Sequence, residues 1–132
     1  TYAAVIPRFV TALLSGARPV IYGDGKQSRD FTYVENVVEA NIKACFAPKE
    51  ACGRAYNIAC GERYSLLDLI AHLEEIIGVK ADPVFEPERP GDVKHSQGDI
   101  SLARKYLGYE VKVGFREGLE RTVAWYRERV KS

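Results

Sequence analysis

Tyr22-Gly23-Asp24-Gly25-Lys26-Gln27-Ser28-Arg29-Asp30-Phe31 separates two short apolar runs and stops just before a helical pattern. Gly23-Asp24-Gly25 is a turn signal, because glycine supplies the backbone angles a tight reversal needs. Upstream, Pro19 to Tyr22 predicts a short strand, and downstream Arg29 to Tyr33 predicts a second. Thr32-x-x-Glu35 has the spacing of a capping box and opens a helix to about Phe46. Val34, Val37, Val38, Ile42 and Cys45 form its expected inward face, and Pro48 ends it. Before the turn, Ala4 to Ser15 predicts a helix with Val5, Phe9 and Leu13 on one face and Ile6, Val10 and Leu14 beside them. Pro7 fits in its first turn, and Gly16 is its stop.

The same alternation continues. Ala55 to Ala59 predicts a strand, and Ser65-x-x-Asp68 caps a helix that runs to Ile77. Leu66, Leu69, Ile70, Leu73 and Ile77 give that helix an apolar stripe, and Gly78 closes it. Val84 to Glu86 predicts another strand, and Pro87 to Gly98 reads as a loop. Asp99 caps a short helix to Leu107, with Gly108 past its end. The last helix spans Phe115 to about Val130, with Phe115, Leu119, Val123, Tyr126 and Val130 on one face. Helical and strand periods alternate, so the expected class is α/β: a small mixed domain of short strands and about five helices.

The 132 residues suit one domain, expected to span the whole of 1–132, and 46% hydrophobic content allows a real core. A net charge of +1 supplies no basic excess for nucleic acid or a membrane surface, so neither is an expected partner. No apolar run approaches the roughly 20 residues that span a bilayer. Cys45, Cys52 and Cys60 are odd in number and lack a C-x-x-C spacing. A disulfide framework or zinc site is therefore not expected, and a reducing cytoplasm fits. The chain has no Met and opens on an apolar stretch, which leads us to expect a piece of a longer protein.

No G-x-G-x-x-G fingerprint and no P-loop occurs, and His72 and His95 are too few for a metal site without carboxylates. The loops at 22–31 and 88–97 each hold one arginine, Arg29 and Arg89, among small turn residues. Two guanidinium forks on one cleft would suit a diphosphate, although each arginine could equally pair with a neighbouring acid such as Asp30 or Glu88. Asp92 offers an acceptor for ribose hydroxyls, and Tyr22 an aromatic face for a flat base.

Three ordered motifs carry a resemblance. They are Gly23-Asp24-Gly25-x-x-x-Arg29-Asp30-Phe31-x-x-Val34, then Tyr56-Asn57-Ile58-Ala59-x-Gly61, then Arg89-x-Gly91-Asp92-Val93 followed by Asp99. Over nearly its whole length the chain resembles the C-terminal, substrate-binding domain of extended short-chain dehydrogenases/reductases, and within them the UDP-sugar 4-epimerases. The resemblance implies a domain normally packed on an N-terminal Rossmann domain that binds NAD and carries a catalytic Tyr-x-x-x-Lys. The resemblance implies that both lie outside this chain, so no catalytic, cofactor-binding or metal-binding residue is expected here, and NAD belongs to the parent enzyme. It also implies UDP-sugar as ligand and a parent homodimer formed through Rossmann helices.

By the same resemblance Arg29 and Arg89 grip the diphosphate, Asp92 lies near the ribose, and Val20 and Tyr22 lie against uracil. Ala4 and Val5 lead into a helix that contacts the nucleotide. Ser96 stands where epimerases of UDP-glucose often have a bulky Tyr, which implies room for an N-acetylated sugar. In such enzymes the missing Tyr takes the proton of the 4-hydroxyl while NAD takes the C4 hydride, and the keto sugar turns before the hydride returns. A dehydratase or decarboxylase of the same family, or a stand-alone nucleotide-sugar binding module, are the alternatives. Separated from its partner domain, the chain is expected to expose apolar surface.

Overall fold

The computed structural model describes residues 4–91 and 94–130. Its elements are α1 (Val5–Leu14), β1 (Val20–Tyr22), β2 (Ser28–Arg29), α2 (Val34–Cys45), β3 (Tyr64–Ser65), α3 (Leu66–Ile77), β4 (Val84–Glu86), α4 (Ser101–Leu107) and α5 (Phe115–Val130), with a single 3-10 turn at Lys49–Ala51. Five helices and few short strands make a mixed α/β chain. It divides into two compact units. The first is built from the stretches up to Gln27, from Ser65 to Lys94, and from Leu119 onward; the second from Ser28–Tyr64 and His95–Gly118. No helix among the described residues is long and apolar enough to cross a membrane.

In the first unit, α3 has both ends fixed by its sequence. Ser65 Oγ accepts from the Asp68 N–H at 3.0 Å, and the Asp68 carboxylate accepts from the Ser65 N–H at 3.1 Å. Gly78 ends the helix in the left-handed region at φ 82°. The stripe Leu66, Leu69, Ile70 and Leu73 is buried, each side chain contributing about 1.5–3 kcal/mol relative to exposure. α1 packs against α3 and buries Phe9, Val10 and Leu13. β1 and β4 pair in parallel, with Val20 opposite Val84, Ile21 opposite Phe85 and Tyr22 opposite Glu86. Gly25 seats the intervening turn on α3: its carbonyl accepts from the Leu67 N–H at 3.1 Å, and a Cβ there would lie 2.8 Å from the Leu67 side chain.

The second unit has its own core of Ala40, Ala59, Ile100, Ala103 and Tyr109, with Tyr56, Ile58, Leu107 and Val111 packed against it. α2 packs on α4. The fully buried Asn36 serves as a backbone substitute. Its Oδ1 accepts from the N–H groups of Lys112 (2.9 Å) and Val113 (3.0 Å), and its Nδ2 donates to the Val113 carbonyl at 2.7 Å. The loop leading into α5 is thereby tied to α2 without a strand partner.

Several expectations are corrected. α2 starts at Val34 with Tyr33 as N-cap and no side-chain cap, so Thr32 and Glu35 do not form a capping box. Its inward face is Asn36 and Ala40, while Val34, Val37, Val38, Ile42 and Cys45 are exposed. The segment Arg29 to Tyr33 is a strand only at Ser28–Arg29, and Ala55–Ala59 is not a strand. In the latter, side chains take the place of a ladder: the Tyr109 hydroxyl donates to the Ala59 carbonyl at 2.7 Å and that of Tyr56 to Ala51. Asp99 accepts from the Ser101 N–H at 3.0 Å, but the N-cap position of α4 is Ile100.

Replacing Asn36 by Ala leaves the buried N–H and carbonyl of Val113 and the part-buried N–H of Lys112 without this partner. We expect Asn36→Ala to destabilise the fold by about 3 kcal/mol or more. Chemical denaturation monitored by circular dichroism measures it, and a change below about 1 kcal/mol would show that water serves these groups adequately.

Candidate functional site

Each unit gathers its own set of the residues singled out from sequence. In the first, Tyr22 ends β1 and the Gln27 amide donates to its carbonyl at 2.7 Å. Across the ladder the Gly23 N–H donates to the Glu86 carbonyl at 2.9 Å. The chain leaving β4 then folds so that the Arg89 guanidinium carbon lies 3.8 Å from the centroid of the Tyr22 ring. Arg8 of α1 approaches the same ring, at 5.6 Å, and that of Phe9, at 5.8 Å. Both are cation–π distances. Ala4 is the exposed N-cap of α1, Val5 its first residue, and Val20 begins β1. Tyr22 and Arg89 thus come together in this unit, on an aromatic surface with cations beside it.

In the second unit the Ser28 carbonyl is the shared point. It accepts from the Ser96 N–H at 3.0 Å and from Arg29 Nη1 at 2.8 Å. The Ser28 hydroxyl and His95 Nδ1 lie 2.7 Å apart, and the two residues form a parallel bridge. Arg29 and Ser96 are therefore held by one residue that sequence reasoning passed over. Asp92 lies outside the described residues.

Asp30, which the sequence offers as one alternative partner for an arginine, takes three backbone amides. Its carboxylate accepts from the N–H groups of Cys60 (2.8 Å), Gly61 (2.8 Å) and Gly98 (3.3 Å). Gly98 is required by close approach, since a Cβ there would lie 2.7 Å from that of Ala59. Beside this knot is an open cavity of about 650 Å³ lined by Cys60, Gly61, Gln97, Gly98, Ile100 and Arg104 among others. None of the sequence-predicted site residues lines it. Burial raises the Cys60 thiol pKa above its ordinary value, and the negative charges of Asp30 and Glu62 add to the effect against a hydrogen bond from Thr32.

The glycines do not form a dinucleotide cradle. Gly23 and Gly25 sit in a strand-to-strand turn, and Gly25 is spent on its contact with Leu67. Nothing among the described residues fits NAD as a glycine-rich strand-to-helix turn would. No group of three His, Cys, Asp or Glu among them is placed to hold a metal.

A model of the family described as GDP-mannose 4,6 dehydratase matches residues 2–122. The UDP-N-acetyl-alpha-D-glucosaminuronate decarboxylase of Bacillus cytotoxicus is 31% identical over 134 residues, covering 96% of this chain and 41% of that protein. Among solved structures, UDP-glucuronic acid 4-epimerase from Bacillus cereus, in complex with UDP-glucuronic acid and NAD, is 32% identical with a TM-score of 0.91. That likeness covers 96% of this chain and 40% of that one. UDP-N-acetylglucosamine 4-epimerase from Methanobrevibacter ruminantium, in complex with UDP-N-acetylmuramic acid, is 37% identical with a TM-score of 0.87, over 97% and 40% of the two chains. The chain spans about two fifths of the length of the relatives it matches.

Two outcomes follow from the Asp30 knot. Asp30→Ala strands three amides and should lower stability by about 3 kcal/mol or more, read by thermal or chemical unfolding; an unchanged midpoint would remove Asp30 from its central place. A thiol whose pKa is raised holds less thiolate at any given pH, so Cys60 should react with a disulfide reagent at pH 8 more slowly than the exposed Cys45 and Cys52. Peptide mapping of the labelled sites decides the order, and Cys60 reacting first would contradict it.

Proposed function

The chain belongs to the GDP-mannose 4,6 dehydratase family of extended short-chain dehydrogenases/reductases, which process nucleotide-sugars, and from that premise we propose that it is the UDP-sugar-binding part of an NAD-dependent UDP-sugar 4-epimerase. The observation that carries the reading is the Tyr22–Arg89 pair, an aromatic platform with a guanidinium 3.8 Å from its centroid at the end of a parallel strand. In this reading Val20, through its backbone, and Tyr22 receive the uracil. Arg89 and Arg29 each donate to the diphosphate, Asp92 accepts from the ribose, and Ala4 and Val5 approach the nucleotide from the start of α1. Ser96 sits by the sugar and leaves space for an N-acetyl group, in keeping with the likeness to a UDP-N-acetylglucosamine 4-epimerase.

NAD, present in the solved epimerase from Bacillus cereus, is assigned in this reading to a separate Rossmann domain. The exposed row on α2 supports such a partner: Val34, Val38, Ile42 and Phe46, just past its end, are 65%, 49%, 50% and 86% exposed. Apolar rows of this kind on a helix are normally covered. The parent would be a homodimer through that other domain. The three free thiols accord with a reducing compartment such as the cytoplasm.

This chain's own residues bind and orient. Anchoring the UDP far from the reacting carbon allows the sugar to move while the nucleotide stays fixed. A second reading, decarboxylation or dehydration of a nucleotide-sugar, is favoured by the family's description and by the decarboxylase relative.

The intact protein should bind UDP-N-acetylglucosamine more tightly than UDP-glucose in calorimetric titration, and Ser96→Tyr should reverse the preference. Arg29→Ala and Arg89→Ala should each weaken UDP binding about 10-fold or more. Incubated with UDP-N-acetylglucosamine and NAD, it should yield the 4-epimer. Release of carbon dioxide from a UDP-uronic acid, or formation of a 4-keto-6-deoxy sugar, would favour the second reading, and no binding of any UDP-sugar would sink both.

A further inference from the structure

Arg8 stands apart from every residue assigned above. It is half-buried on an otherwise apolar stretch of α1, and its Nε is buried with no hydrogen-bond partner. An N–H of a cation left buried and unpaired is costly, so such a group in a folded protein calls for an acceptor. Nothing on its own helix supplies one: the first turn of α1 has no acidic residue, and Ala4 makes no side-chain cap. Its guanidinium lies 5.6 Å from the Tyr22 ring centroid, and that of Arg89 lies 3.8 Å from the same point. Two like charges are therefore gathered around one ring, and among the described residues neither has a carboxylate partner.

The arrangement lacks a counter-charge. Repulsion between two guanidinium groups this close to a shared ring is relieved when an anion enters, and the planar forks of arginine suit phosphate oxygens. Resting on the nucleotide-sugar reading above, we propose that Arg8 is a third arginine of the site, which with Arg89 holds a phosphate group of the nucleotide beside the Tyr22 ring. The buried Nε–H donates to a phosphate oxygen, and the ring keeps both guanidiniums in place.

The test is calorimetric titration of the intact protein, its Arg8→Gln variant and its Arg8→Lys variant with UDP, inorganic pyrophosphate and uridine. Arg8→Gln should bind UDP about 10-fold or more weakly, the factor expected of a lost charge-assisted hydrogen bond, and pyrophosphate should weaken in parallel. Arg8→Lys keeps the charge but loses the Nε–H and should fall between. Unfolding curves close to wild type would mark the loss as local. UDP affinity unchanged in Arg8→Gln overturns the proposal while leaving the nucleotide reading intact; should that variant fail to fold, unchanged affinity in Arg8→Lys does the same. A loss of equal size with uridine places Arg8 on the base and overturns the phosphate assignment. If wild type ignores UDP, the nucleotide reading fails by itself. Pyrophosphate bound by wild type and lost in Arg8→Gln would still uphold the anion site, and no pyrophosphate binding would overturn it as well.

Discussion

Asp30 supports most of the second unit. One carboxylate accepts from three backbone amides that lie 30, 31 and 68 residues away in sequence. A carboxylate is suited to this because its two oxygens offer about four acceptor positions and its charge strengthens each bond. The three amides belong to two stretches that form no ladder with each other; they are joined through Asp30 and by the Gln97 side-chain amide, which donates to the Gly61 carbonyl. Gly98 must approach Ala59 too closely for any side chain, which makes glycine a condition of the knot. Arg29 precedes Asp30, Ser96 precedes Gly98 by two residues, and the Ser28 carbonyl accepts from both Arg29 and Ser96. The candidate ligand residues of this unit are thus mounted directly on its structural clamp.

The first unit reaches a comparable result by different means. A three-residue parallel pair would be weak alone, but it is extended at both ends, by the Val84 N–H on the Pro19 carbonyl and the Gly23 N–H on Glu86. Arg18 adds a donor to the Asp82 carbonyl at 2.7 Å. This fixes the register, and the register sets Tyr22 opposite Glu86, three residues before Arg89. The cation–π contact is a consequence of where the strand pair ends.

What was legible in the sequence was local. The caps of α3, its stripe, the left-handed Gly78 and Gly108 and the bounds of α5 all depend on neighbours within one or two helical turns. What was not legible depended on distant partners. Asp30 carries no local signal, since its acceptor role is defined by Cys60, Gly61 and Gly98. Asn36, which was not among the inward residues expected for α2, is fully buried, and Lys112 and Val113 come to it. Periodicity picked out an apolar row on α2 and turned it inward, whereas that row is exposed and Asn36 and Ala40 face the core. Arg8 was masked by the clean apolar spacing around it, and only the orphaned Nε distinguishes it from a solvated cation.

On the proposed reading these features form one design. Residues that hold the nucleotide are clamped by Asp30, by Ser28 and by the β1–β4 register, and rigid anchoring is what binding energy remote from the reaction requires. Such an anchor is indifferent to whether the sugar is epimerised, decarboxylated or dehydrated, which accounts for enzymes of different chemistry sharing this portion of chain. On the same reading, selectivity for the sugar comes from positions beside it, with Ser96 the proposed one. Its backbone is fixed by Ser28 while its side chain is exposed, so it is free to vary without disturbing the clamp.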